Sequence, residues 1–228
     1  MNDDNHLTLW KIILVFVYAL TIFCILFFAL AYDRNISPNW FVGSIRVVSL
    51  VLATVGASEQ RNIVAASASG FLAASLGDIA AYLAMSAPLI LLENPPDIAK
   101  IALASLFGHA LGGKQPSTMS RAVILTLKDI ANAIIIVISI KTALAYPSQM
   151  LAVAFPIAMF LALCGTALSD AVVRISSLKR PNLGPVLSAT FCATTLVFAS
   201  GLNAFLWQSA LALLVLKVTG AIYKRLKE

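Results

Sequence analysis

The chain has 228 residues, of which 60% are hydrophobic and 11% charged, and its mean hydropathy is +0.92. That balance excludes an ordinary water-soluble domain, and a run of spanning helices leaves no length for a separate folded domain. A formal charge of +6 would suit a nucleic-acid partner, but no aromatic and basic interleaving goes with it, and in a membrane protein basic residues report orientation.

Eight apolar segments follow one another along the chain. The first, 12–32, comes after Met1-Asn2-Asp3-Asp4-Asn5-His6, which is acidic where a secretory signal carries positive charge. It reads as an uncleaved anchor. The second (41–57) follows Ser37-Pro38-Asn39, and the third runs from 63 to 85. The fourth (98–112) lies between Asn94-Pro95-Pro96-Asp97 and Gly112-Gly113. The fifth, 122–146, ends on Tyr146-Pro147-Ser148, and 149–171 is the sixth. Arg180-Pro181-Asn182 precedes 184–202, and Gly201-Leu202-Asn203 separates that from 205–222. These breaks are turn chemistry. The expectation is an all-α polytopic membrane protein, one integral domain over 1–228 with eight transmembrane helices. Seven is the variant count, because the fourth segment is short and the last two are tightly joined.

The basic residues orient the bundle. With both termini in the cytoplasm, the inside segments hold Lys11, Arg61, Lys114, Arg121, Arg174, Lys179, Arg180, Lys224, Arg225 and Lys227, against Arg34 and Lys100 outside. That is the positive-inside pattern of a bacterial inner-membrane protein. Trp40, Tyr32, Tyr146 and Trp207 then fall at the outer interface, and Trp10 and Tyr223 at the inner one.

Few charges remain inside the segments. Asp78 sits in the third, beside a stripe of small residues spaced four apart, Ser69, Ala73, Gly77 and Ala81, which lets helix backbones approach closely in lipid. A charge in hydrocarbon must be paired or wetted, so Asp78 is expected to face inward. Counting rise along antiparallel helices brings Arg46 to within about 2 Å of the same depth. An Arg46–Asp78 pair is therefore expected, bracing the bundle or lining a polar pocket open towards the outer face. Trp40 and Tyr82 complete the candidate ligand-binding set. On the inner half His109 and Asp129 are level in the same way, a pairing that would respond to pH; the plainer reading is a satisfied buried histidine. Lys128 points elsewhere or snorkels, and Lys141 and Lys217 are expected to snorkel.

Catalysis is not expected. Gly77-Asp78 and Ser169-Asp170 resemble the paired acids of a membrane hydrolase such as the lysoplasmalogenases, yet Asp170 lies roughly 20 Å from Asp78 along the normal. Acid and base pairs of the glycosidase type stand about 5–10 Å apart. Asp170 has Arg174 one turn on and reads as an interface acid. His6 and His109 lack metal-ligand spacing, and Gly112-Gly113-Lys114 lacks the frame of a phosphate loop. Cys24, Cys164 and Cys192 read as packing residues, neither disulfide nor metal site. No cofactor is implied.

The motifs resemble the first-described bacterial membrane-associated sensor domain, found ahead of diguanylate cyclase, phosphodiesterase or histidine kinase modules. The likeness rests on Trp40-Phe41 with Ser44-Ile45 opening the second helix, and Ser75-Leu76-Gly77-Asp78 in the third. Asp97-Ile98 leads to Gly108 in the fourth, Phe160 to Ser169-Asp170 forms the sixth, and Lys179-Arg180-Pro181 opens the last pair. It covers about 38–225. Val42 stands where the family has proline, an acid within the fourth helix is missing, and 56–63 is lengthened. The resemblance implies a sensory or ligand-binding module with signal entering near Arg46 and Asp78. Its partners would be the lipid bilayer, an unknown small ligand and a separate cytoplasmic signalling protein, with no nucleic acid. A transporter or membrane substrate-binding subunit is the alternative, and an intramembrane lipid hydrolase using Asp78 the second alternative.

Overall fold

A computed structural model describes residues 40–85, 95–112, 117–144, 151–168, 171, 183–200 and 205–227. Over these residues the regular structure is wholly helical. We label the helices α1 (Trp40–Ser58), α2 (Ile63–Met85), α3 (Pro95–Gly112), α4 (Thr118–Leu144), α5 (Leu151–Leu163), α6 (Gly184–Ala199) and α7 (Phe205–Lys227), with α5 running into a π-helical turn at Cys164–Leu168. They coincide with the second to eighth apolar segments. The first segment, 12–32, lies outside the described residues.

The helix starts follow from local chemistry. Asn62 caps α2, its Oδ1 accepting the Val64 N–H at 2.9 Å. Ser117 does the same for α4, its Oγ accepting the Ser120 N–H at 3.1 Å. Both fill amide groups that a helix start leaves unpaired. α3 begins at Pro95, earlier than the turn reading placed it. A Pro-Pro pair breaks a helix interior but is preorganised for a first turn, where its missing N–H costs nothing. Pro156 sits inside α5, and the π turn follows two helical turns later, a place where the regular ladder shifts by one residue.

Gly56 of α1 lies over Ser69, Gly70 and Ala73 of α2, and the Ser49 hydroxyl donates to the Ala74 carbonyl at 3.4 Å. Residue numbers thus run in opposite senses along this pair. Against α3 they run together: Arg46 stands by Asp97, Thr54 by Gly108 and Ser58 by Gly112. α1, α2 and α3 form one three-helix unit. α4 is the hub of the rest, packing on α1, α5 and α7, while α6 and α7 pack on each other. Every residue from Ala131 to Ile140 is buried, so this stretch of α4 has no outer face.

Three of the helices, α2, α3 and α6, are built inside out. On α2 the exposed residues include Phe71, Leu72, Ile79 and Leu83, whereas Ser69, Ala73, Ala74 and Ser75 are buried. On α3 Leu103, Leu106 and Phe107 face outward, and Ser105, Gly108 and Gly112 inward. On α6 Leu187, Phe191 and Leu196 are outside, and Ala189, Thr190, Ala193 and Thr194 inside. A helix in water places its large apolar residues on the core side. The buried hydroxyls are mostly spent on their own helices: Thr54, Ser75, Ser105, Thr126, Ser139 and Thr166 each donate to the carbonyl four residues back. This is how a hydroxyl is satisfied where water does not reach. Among the described residues one helix, α4, is long and apolar enough to cross a membrane.

Candidate functional site: a buried carboxylate between two cations

Arg46 lies in the second turn of α1. Its Nε is 2.8 Å from Oδ2 of Asp97, and the Nζ of Lys100 is 2.8 Å from Oδ1 of the same carboxylate. Arg46 thus has Asp97 of α3 as a partner, and the expected pairing with Asp78 falls on a side chain outside the described residues. Asp97 is 8% exposed, Arg46 35% and Lys100 55%. The acid is the buried centre and the two bases form its outer rim. Lys100 donates a hydrogen bond. The Arg46 contact is an ion pair of short distance but poor angle, since neither Nε nor Oδ2 completes a hydrogen bond.

Local sequence explains the arrangement. Asp97 falls in the first turn of α3, where the helix dipole favours negative charge. Lys100 is three residues on, on the same helix face. The parallel register of α1 and α3 brings Arg46 to that turn. In the sequence Asp97 falls at the break before the fourth segment. The signal that could have placed it is Pro95-Pro96-Asp97 followed by Lys100, read as a helix start.

Asp78 belongs to α2, and the antiparallel register carries its backbone level with that of Arg46; its side chain lies outside the described residues, as does that of Trp40. Tyr82 is 49% exposed, on the outside of the bundle. Asp170 lies outside the described residues.

His109 and Asp129 take other partners. The Nδ1 of His109 is 3.1 Å from the Gln60 carbonyl just beyond the end of α1. A carbonyl only accepts, so Nδ1 carries the proton and ties the end of α3 to α1. Asp129 meets Lys217 across the α4–α7 seam, Oδ2 to Nζ at 2.9 Å. Lys217, expected to snorkel, instead lies midway along α7. The level positions of His109 and Asp129 did not make them neighbours, because α3 packs chiefly on α1 and α2 and shares little surface with α4.

Two further features escaped the sequence reading. Gly108 and Gly112 form a Gly-x-x-x-Gly face that seats α3 on the α1 backbone at Thr54 and Ser58, the spacing by which helices approach closely in lipid. The π turn brings Thr166 to Thr190 of α6, hydroxyl to hydroxyl at 3.2 Å, with Gly165 against Ile135 of α4. Cys164 is buried and Cys192 exposed, both as free thiols. Among the described residues no three His, Cys, Asp or Glu side chains gather as a metal site would require. No family model, curated protein or solved structure matches this chain.

Proposed function

We propose that the chain is a multi-pass inner-membrane module of eight helices with both termini in the cytoplasm, and that it senses or binds a ligand without carrying out catalysis. The observation that carries the membrane part is the reversed distribution of side chains. Rows of leucine and phenylalanine face outward on α2, α3 and α6, while serine, threonine, alanine and glycine fill the seams. In water such a surface would aggregate; in lipid it is the ordinary outside of a bundle.

The sensory part rests on the Arg46–Asp97–Lys100 group. A charged cluster within apolar helices is retained at a cost, and such residues commonly mark ligand or ion positions. On the proposed topology it stands at the outer end of the three-helix unit. α1 carries it on one side and packs on α4 further down, so a shift of α1 on ligand binding would reach the remaining helices. A ligand drives such a shift only if it binds two arrangements unequally. The resemblance to the membrane-associated sensor domain agrees with this reading and supplies the class of partner, a separate cytoplasmic signalling protein.

One observation favours transport as the second reading: Asp129 and Lys217 stand midway along their helices and are 35% and 43% exposed. Polar groups at such a position line the pathway in many carriers. Two measurements test the readings together. Reporter fusions after each helix should alternate between periplasm and cytoplasm, and vesicles containing the purified protein should not accumulate solute. Fusions that fail to alternate would remove the membrane topology. Accumulation of solute lost in Asp129→Asn would replace sensing by transport.

A further inference from the structure

We infer that the Arg46–Asp97–Lys100 group is a receptor for a small anion bearing a carboxylate or phosphate, a proposal that rests on the ligand-binding reading above. Three observations carry it. The Asp97 carboxylate has both oxygens engaged, one by each base, at 2.8 Å. Two cations therefore share one acid, and the group as a whole keeps one formal positive charge.

The donors are unequally used. Arg46 approaches Asp97 through Nε at 2.8 Å, so the guanidinium meets the acid by one corner. That leaves the planar edge of the guanidinium, the part that matches two oxygens of a carboxylate or phosphate side by side. Lys100 reaches Asp97 from the solvent side and is more than half exposed, so its ammonium can serve the same anion as a second donor.

The burial is graded in the direction an anion receptor needs. Asp97 is buried behind the bases and holds them in place, so an incoming anion meets the cations first. The carboxylate also keeps the empty site tolerable, because two unpaired cations in an apolar bundle would repel each other and desolvate at high cost. A neutral or cationic ligand would gain nothing from this order of charges.

The test uses the full chain in lipid nanodiscs, titrated with inorganic phosphate or with succinate, with choline chloride to hold ionic strength constant. Binding is read by calorimetry and by the shift in unfolding temperature. Saturable binding of phosphate or succinate is expected, weakened at least tenfold in Lys100→Met, which keeps the apolar stem of the side chain and leaves the Arg46–Asp97 pair intact. Asp97→Asn should tighten the anion, since removal of one negative charge raises the group from one formal positive charge to two. Binding of phosphate alone assigns a phosphoryl ligand, and of succinate alone a carboxylate. No saturable binding of either, or binding unchanged in Lys100→Met, overturns the inference. Carbonate washing of membranes keeps the two claims separate. Release of the protein refutes the membrane reading, whereas retention without anion binding refutes only the anion.

Discussion

Gly112 lies so close to Ser58 that a Cβ on residue 112 would overlap the Ser58 carbonyl, and Gly108 stands in the same relation to Thr54. The obstacle in both cases is backbone, which cannot rotate away as a side chain can. Gly108→Ala and Gly112→Ala should each destabilise the protein by about 1–3 kcal/mol, the range for overfilling a packed contact. Gly220→Ala is the control. Nothing stands near its Cβ position, and alanine is the better helix former by about 1 kcal/mol. Thermal unfolding in detergent, followed by circular dichroism, should place Gly220→Ala above both of the others. Equal stability of Gly112→Ala and the parent chain would mean that α1 and α3 do not touch there.

The ion pair at Asp97 should show a particular asymmetry. Losing Arg46 leaves the buried acid with Lys100, but losing Asp97 leaves two bases facing each other. Asp97→Leu should therefore be the worse single change, since it breaks both contacts at once and leaves two bases unpaired. The double change Arg46→Leu with Asp97→Leu should cost less than Asp97→Leu alone. Chemical unfolding of Arg46→Leu, Asp97→Leu and the double variant gives the comparison, and additive losses would argue against a direct pair.

Asp129 and Lys217 offer a measure of what surrounds them. Partly exposed pairs in water contribute about 0–1 kcal/mol, while an unpaired charge at mid-membrane is far costlier. Asp129→Lys should be destabilising well beyond the aqueous range, and adding Lys217→Asp should recover most of the loss. A single exchange that costs less than about 1 kcal/mol would place this seam in water.

The outward rows can be tested one residue at a time. Leu103 and Phe191 are more than half exposed, so a soluble protein would accept lysine at either position. In a spanning helix a central lysine costs about 2.5–3.5 kcal/mol of insertion free energy. Leu103→Lys and Phe191→Lys should lower the carbonate-resistant membrane fraction several-fold, measured by immunoblot. Unchanged amounts would mean that these faces do not meet lipid.

How much of this was legible beforehand varies with the kind of information. The positions of the helices were, because Pro and Gly breaks are local; the stretch 63–85 was read with the same bounds that α2 shows, whereas α3 starts at Pro95 instead of 98 and α7 runs on to Lys227 past 222. Rise per residue was legible too, and it brought residues 46 and 78 to one level. Direction around each helix axis was not. Depth alone made Asp129 the expected partner of His109, whereas the packing of α4 on α7 gave it Lys217, and the packing of α1 on α3 gave Arg46 a contact with Asp97 that depth did not suggest. Which helices touch is set by the sum of many apolar contacts across the chain, and no short motif records that sum. Gly108-x-x-x-Gly112 is a compact mark of a close seam, yet the stripe that stands out in the sequence is Ser69, Ala73, Gly77 and Ala81, and neither spacing names the helix it meets.

α4 carries contacts to α1 in front of it and to α5 and α7 behind it, and the main apolar cluster joins Val48 and Leu52 to Ile136, Ala158 and Val197 through it. A polypeptide severed between α3 and α4 would yield a front piece with its own internal seams and a rear piece gathered on α4. The rear piece would bear a bare strip shaped to receive α1. Two such pieces made in the same cell have a ready-made surface by which to find each other, so complementation between separately encoded halves is the behaviour this architecture entails.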